Sequence, residues 1–214
     1  MKLLIATTNR GKAAEFREML GDARFDFDDL TAHAGEAVVP VEETGRTFRA
    51  NAMLKAAGYA SRFGRWTLAD DSGLEVDALD GNPGVHSARW AELHHAGEGD
   101  AANNALLIKQ LRALDPTGAG RPWPRYTARF VCVLALSDPL GRIVFTTTGS
   151  VEGRIIPEPR GRNGFGYDPH FFFDSFGKTT AELPPEEKHR ISHRGQALRR
   201  LRALIETHLP MGTD

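Results

Sequence analysis

Leu3–Ala6 is a short, wholly apolar run that breaks into a polar stretch at Thr7–Gly11. This predicts a strand covered on both faces, followed by a turn. From Lys12 onward, Ala13, Phe16 and Leu20 recur at helical spacing, and Gly21 is a natural stop. Val38–Val41 reads as a short strand. Thr47 is placed to cap a second helix that runs to about Phe63 and closes at Gly64, burying Phe48, Ala52, Ala56, Tyr59 and Phe63. Trp66–Ala69 and Leu74–Leu79 read as two strands separated by Asp70-Asp71-Ser72-Gly73. Asp100–Leu114 is an amphipathic helix. Tyr126–Ser137 and Arg142–Val151 are the strongest strand patterns and form a hairpin around Asp138–Gly141. The first of them is apolar on both faces, so its sheet needs helices on both sides. The fold class is therefore α/β with a mixed sheet. A glycine-rich stretch, 161–168, leads into Phe171-Phe172-Phe173. Pro184-Pro185 opens a helix, and a last helix runs from about Gln196 to His208.

The 214 residues, 41% hydrophobic, suffice for one large domain or for one domain with two lobes. A net charge of -1 gives no global attraction to a nucleic acid polymer, so any anion site must be a local cluster of cations. Cys132 is the sole cysteine, which rules out an internal disulfide; its apolar flanks mark a buried core thiol. No apolar run approaches the roughly 20 residues that span a bilayer, and the apolar start is too short for a signal peptide. The expectation is a soluble, cytoplasmic protein with no membrane partner. The loop at 115–125, rich in Pro and Gly, is expected at the surface.

Four segments carry candidate chemistry. Thr7-Thr8-Asn9-Arg10-Gly11-Lys12 joins a strand to a helix, where backbone N–H groups, the helix dipole and a lysine suit phosphate; an ordinary capped turn is the alternative. It lacks P-loop spacing. Asp70-Asp71, with Glu42, offers hard oxygen ligands for Mg²⁺, or else forms a solvated turn. Asn51 and Lys55 share a helix face. Gly161–Pro169 combines glycines, which permit close backbone approach, with Phe165, Gly166, Tyr167 and Asp168. An aromatic there can stack on a base and the carboxylate can accept from a base N–H; packing into the core is the alternative. Lys188, His189, His193 and Arg194 cluster within seven residues. Lys188 can reach a phosphate, and His193 and Arg194 can donate to a base carbonyl. His189 and His193 have i,i+4 spacing, but no third zinc ligand accompanies them. His94-His95 reads as surface.

Five stretches, in order, resemble the inosine triphosphate pyrophosphatase family: LLIATTNRGKAAEF (3–16), EETGRTFRANAMLKA (42–56), LADDSGLEVDALDGNPGVHSARW (68–90), GRNGFGYDPHFF (161–172) and KTTAELPPEEKHRISHRGQAL (178–198). The resemblance implies an elongated mixed sheet flanked by helices, with two lobes and a central cleft in a single domain spanning 1–214, and a homodimer. It also implies Mg²⁺-dependent hydrolysis of non-standard purine nucleoside triphosphates (ITP, dITP, XTP) to the monophosphate and pyrophosphate. By position, Thr7–Lys12 and Lys188 would hold phosphates. Asp71 would be the catalytic carboxylate and a metal ligand, with Glu42 as second ligand. Ser72 would touch substrate, Phe165–Asp168 would bind the nucleoside, and His193 with Arg194 would bind the base. The chain departs from the family at Ala50, where many relatives carry Glu. The alternatives are a pyrophosphatase for pyrimidine or standard nucleotides, and a nucleotide-binding module without catalysis.

Overall fold

The computed structural model describes residues 2–20, 26–30, 39–114 and 126–209. In chain order these form β1 (Lys2–Ile5), α1 (Arg10–Leu20), β2 (Asp26–Asp29), α2 (Phe48–Phe63), β3 (Trp66–Val76), α3 (Trp90–Leu93), α4 (Gly99–Leu114), β4 (Tyr126–Ser137), β5 (Ile143–Ile155), β6 (Phe171–Phe173), β7 (Lys178–Thr179), α5 (Pro185–Ile191) and α6 (His193–His208), with short 3₁₀ turns between some of them. The strands make one seven-stranded sheet in the order β2-β1-β3-β4-β5-β6-β7. β1 is parallel to β2 and β3, while β6 is antiparallel to both β5 and β7, so the sheet is mixed. No helix among the described residues is long and apolar enough to cross a membrane.

The chain divides into two compact units. The first holds the chain up to Asp71, Cys132–Gly149 and the chain from His193. Its core joins Leu3 and Ile5 of β1, Phe16 and Leu20 of α1, Leu68, Cys132, Leu134 and Leu136 of the central strands, and Leu198, Leu201 and Ile205 of α6. Burial, and secondarily Asp70, pushes the Cys132 thiol up to about 12, which makes it an inert packing group. The second unit holds Ser72–Val131 and Ser150–Ser192. Its core gathers Leu74, Val76, Leu107, Leu111, Phe130, Ile155, Tyr167, Phe171 and Phe173.

Local chemistry accounts for the best-defined boundaries. Thr47 Oγ1 accepts from the Ala50 N–H at 3.1 Å, and Gly64 closes α2 in the left-handed region at φ 61° with its N–H on the Ala60 carbonyl. Phe63 is only half-buried. The β4–β5 turn falls at Asp138–Gly141 as expected, but β5 continues to Ile155.

Several expectations are corrected. Residues 66–79 do not form two strands. β3 runs unbroken through Asp70-Asp71-Ser72-Gly73 to Val76, and Asp77–Leu79 is a 3₁₀ turn. Gly73 belongs to the strand because a Cβ there would lie 2.4 Å from Ser87 Oγ and 2.5 Å from the Gly84 carbonyl oxygen; the backbone needs that close approach. Residues 39–41 of the expected strand at 38–41 carry no regular structure, and Val38 lies outside the described residues. β2 was not foreseen. It is a polar edge strand whose acids meet Arg17 and, at 3.1 Å, Arg65. α1 begins at Arg10 and α6 at His193, earlier than the apolar pattern implied. The 115–125 loop and Gly21 lie outside the described residues.

Candidate active site

In the first unit, β1 ends against a capped turn. Asn9 Oδ1 accepts from the Lys12 N–H at 3.0 Å, and Asn9 N–H donates to Thr7 Oγ1 at 3.2 Å. Thr7 is buried, Thr8, Asn9 and Arg10 are exposed, and Gly11 and Lys12 are half-buried. The capped turn expected from TTNRGK is therefore present. It opens α1, whose first N–H groups lack intrahelical partners, and Asn9 Oδ1 takes up the one on Lys12.

Asp70 and Asp71 are both buried, in mid-strand, and take different partners. Asp70 meets Lys12 Nζ at 3.1 Å and Arg194 Nη2 at 3.3 Å, and Arg194 also bonds Glu15. Arg194, 2% exposed, is held firmly charged; burial opposes this, but Glu15 and Asp70 outweigh it. Asp70 thus sits in a buried ion network that ties β3, α1 and α6 together. It is not one half of an acidic pair facing solvent.

Asp71 Oδ1 lies 3.1 Å from Lys55 Nζ, which is also 3.0 Å from Glu43 Oε2. Asp71 Oδ2 is buried and has no hydrogen-bond partner among the described residues. Burial raises the Asp71 carboxyl above its ordinary range; Lys55 and Lys12 pull it down, and Glu43 adds to the rise. Lys55 is itself raised: burial works against its charge, but Asp71, Asp70 and Glu43 prevail. Asp71 is thus a buried carboxylate with one oxygen on Lys55, and its other oxygen is of the hard type that could hold a divalent cation. Glu43, which the sequence does not single out, is the second carboxylate on Lys55. Glu42 beside it is exposed and has no hydrogen-bond or ion-pair partner among the described residues. Asn51 is buried, and its Oδ1 accepts from the Gly45 N–H at 2.8 Å, fixing the segment that bears Glu42 and Glu43 onto α2. No group of three or more His, Cys, Asp or Glu suited to a metal occurs among the described residues.

His193 and Arg194 form the first turn of α6 and are buried. Ser192, extended at ψ 158°, separates that helix from α5, so His189 and His193 share no helix face. His94 and His95 are exposed, as expected.

In the second unit, Lys188 is buried and its Nζ lies 2.7 Å from Asp168 Oδ2 and 5.2 Å from the Phe165 ring centroid. The same Asp168 oxygen accepts from the Phe165 N–H at 2.9 Å. That carboxylate, expected to meet a base, is engaged in setting the loop and its lysine. Tyr167 is a core residue: its hydroxyl donates to the Ser87 carbonyl at 2.9 Å, and burial, then Asp100, raises its pKa. Phe165 and Gly166 are half-buried, and so is Ser72. Asp100 and Asn104 of α4 hold Gly166, a role that the amphipathic pattern of the helix does not disclose. Their i,i+4 spacing was the available signal.

The chain is thus an α/β protein with a mixed sheet, a capped strand–turn–helix that carries a lysine, and a buried carboxylate with one oxygen lacking a hydrogen-bond partner among the described residues. A family model described as the Ham1 family matches residues 3–204, and the chain belongs to that family. It is 49% identical over 209 residues to a dITP/XTP pyrophosphatase of Exiguobacterium sibiricum, covering 98% of this chain and 99% of the relative. It is 46% identical to the dITP/XTP pyrophosphatase of Listeria monocytogenes serotype 4b, covering 94% and 92%. Among solved structures it resembles a HAM1 protein from Coxiella burnetii with a TM-score of 0.80 and 40% identity, covering 97% of this chain and 99% of that one.

Proposed function

We propose that the protein hydrolyses non-standard purine nucleoside triphosphates (dITP, XTP and ITP) to the monophosphate and pyrophosphate, and that both units belong to one catalytic domain. The observation that carries this is Asp71: a buried carboxylate with one oxygen that has no hydrogen-bond partner among the described residues, in a locality that also holds Lys12 and Lys55. The names borne by relatives at 46% and 49% identity support the substrate class.

The donor set fits Mg²⁺, which takes one or two carboxylates and completes its shell with water and substrate phosphate. Asp71 Oδ2 and Glu42 would hold it, and when bound it would neutralise charge on the phosphate oxygens. Asp71 accepts a proton from water as the water oxygen bonds to the α-phosphorus. The bond from that phosphorus to the bridging oxygen breaks, and pyrophosphate leaves with the electron pair. Lys12 and the turn at Thr7–Gly11 bind the triphosphate, and Lys188 matches the charge of the departing pyrophosphate. Lys55 holds Asp71 in place, with Asn51 fixing the segment opposite it. Ser72 contacts substrate, Phe165–Asp168 form the nucleoside loop, and His193 reads the 6-keto group, with Arg194 anchoring the first turn of α6 beneath it through Glu15 and Asp70. Adenine offers an amino donor there, and the mismatch leaves a buried donor unpaired, about 5- to 150-fold in selectivity. The reading extends to a homodimer that works on the cytoplasmic nucleotide pool.

Hydrolysis of dITP in ¹⁸O-labelled water tests the chemistry. Label in the monophosphate is expected; label in pyrophosphate would contradict attack at the α-phosphorus. A panel with ATP, dGTP and UTP tests the substrate class, with dITP and XTP expected to turn over fastest.

A further inference from the structure

We infer that Asp100 and Asn104 are positioning residues for the nucleoside loop, gripping the Gly166 backbone at its N–H and at its carbonyl. The inference rests on the proposed assignment of Phe165–Asp168 to the nucleoside. The two side chains are one turn apart on α4 and act with opposite polarity. Gly166 N–H donates to Asp100 Oδ2 at 2.6 Å, and Asn104 Nδ2 donates to the Gly166 carbonyl at 2.9 Å. The N–H and the carbonyl of Gly166 belong to the two peptide planes that flank its Cα, so the two contacts together hold both planes and with them the backbone dihedrals of Gly166.

Those dihedrals matter here because Gly166 sits at φ 63°, in the left-handed region, between two anchored neighbours. On one side the Phe165 N–H is fixed by Asp168; on the other the Tyr167 hydroxyl is fixed by the Ser87 carbonyl. The clamp therefore sets the direction in which Phe165 leaves the loop. The Asn104 amide keeps this donor contact although its own Oδ1 is buried with no hydrogen-bond partner among the described residues. The preceding residue supplies the rigid footing. Asn103 Oδ1 accepts from the Ala91 N–H at 2.8 Å and Asn103 Nδ2 donates to the Ala88 carbonyl at 3.1 Å. The core contacts of α4 come from Leu107, Ile108 and Leu111, while Asp100 is exposed and Asn104 half-buried. Truncating the clamp should release the loop and leave the core intact.

The test measures steady-state hydrolysis of dITP by Asp100→Ala and Asn104→Ala, together with inhibition by inorganic tripolyphosphate, which has no nucleoside. Each variant is expected to raise KM for dITP about 5- to 10-fold, the scale of one lost hydrogen bond, with kcat and tripolyphosphate inhibition close to wild type. Asp100→Asn keeps an acceptor oxygen and should restore KM. Where Asn104→Ala does not fold, Asn104→Asp preserves size and sets a carboxylate against the Gly166 carbonyl, with the same rise in KM expected. An unchanged KM, an equal loss of tripolyphosphate inhibition, or no rescue by Asp100→Asn overturns the inference. Failure of the wild-type chain to hydrolyse dITP overturns the nucleotide assignment and this inference with it; wild-type hydrolysis with unaltered variants overturns the inference alone.

Discussion

Asp71 Oδ1 lies 3.1 Å from Lys55 Nζ, and Asp71 Oδ2 is buried without a hydrogen-bond partner among the described residues. One carboxylate thus has one oxygen engaged and one in reserve. Because burial outweighs its cations, Asp71 binds protons more readily folded than unfolded, so its ionisation at neutral pH costs stability. Asp71→Asn should lower turnover about 10²- to 10⁴-fold without lowering the melting temperature. Thermal unfolding beside a pyrophosphate-release assay checks both; a variant of normal activity removes Asp71 from catalysis.

The same shift sets the pH profile. In the proposed reaction Asp71 must be ionised, and burial holds its pKa above the ordinary 3.8. The acid limb of kcat/KM should therefore have its midpoint above that value. A bound cation favours the carboxylate form, so the midpoint should climb as Mg²⁺ is lowered. An acid limb that ignores Mg²⁺ concentration would separate Asp71 from the metal.

Arg194 bridges Glu15 and Asp70 with almost no exposure. Arg194→Ala strips the guanidinium from two buried carboxylates, Glu15 and Asp70, of which Asp70 keeps Lys12, and should cost about 3–5 kcal/mol in urea unfolding. In whatever fraction folds, the preference for inosine over adenosine triphosphate should shrink. Retained stability would show that the buried network is not structural.

Gly164 adopts φ 79°, and a Cβ there would fall 2.0 Å from Asp168 Oδ2 and 2.9 Å from Lys188 Nζ. Gly164→Ala should break the Asp168–Lys188 pair and raise KM for dITP about tenfold or more, since charge-assisted hydrogen bonds are the stronger kind. An unchanged KM would mean that the pair does not serve substrate.

What the sequence disclosed divides by range. The ends of α2 were legible because Thr47 and Gly64 act on backbone groups within one turn. The β4–β5 hairpin was legible because a strand buried on both faces is written as an apolar run. Asp70-Asp71-Ser72-Gly73 has turn composition, yet it is strand, because Gly73 answers to Ser87 and Gly84 and Asp70 to Lys12 and Arg194, all distant in sequence. The candidate residues were found by their types and order. Their pairings were not, because Lys188 on Asp168, Arg194 on Glu15 and the grip of Asp100 and Asn104 on Gly166 are long-range contacts that no local pattern encodes.

The most direct test is pyrophosphate release from dITP by wild type and Asp71→Asn, with Mg²⁺ present and after its removal by chelation. The wild type should release stoichiometric pyrophosphate and dIMP only with Mg²⁺, and the variant almost none. Release of orthophosphate, or equal release by both proteins, would contradict the central role given to Asp71.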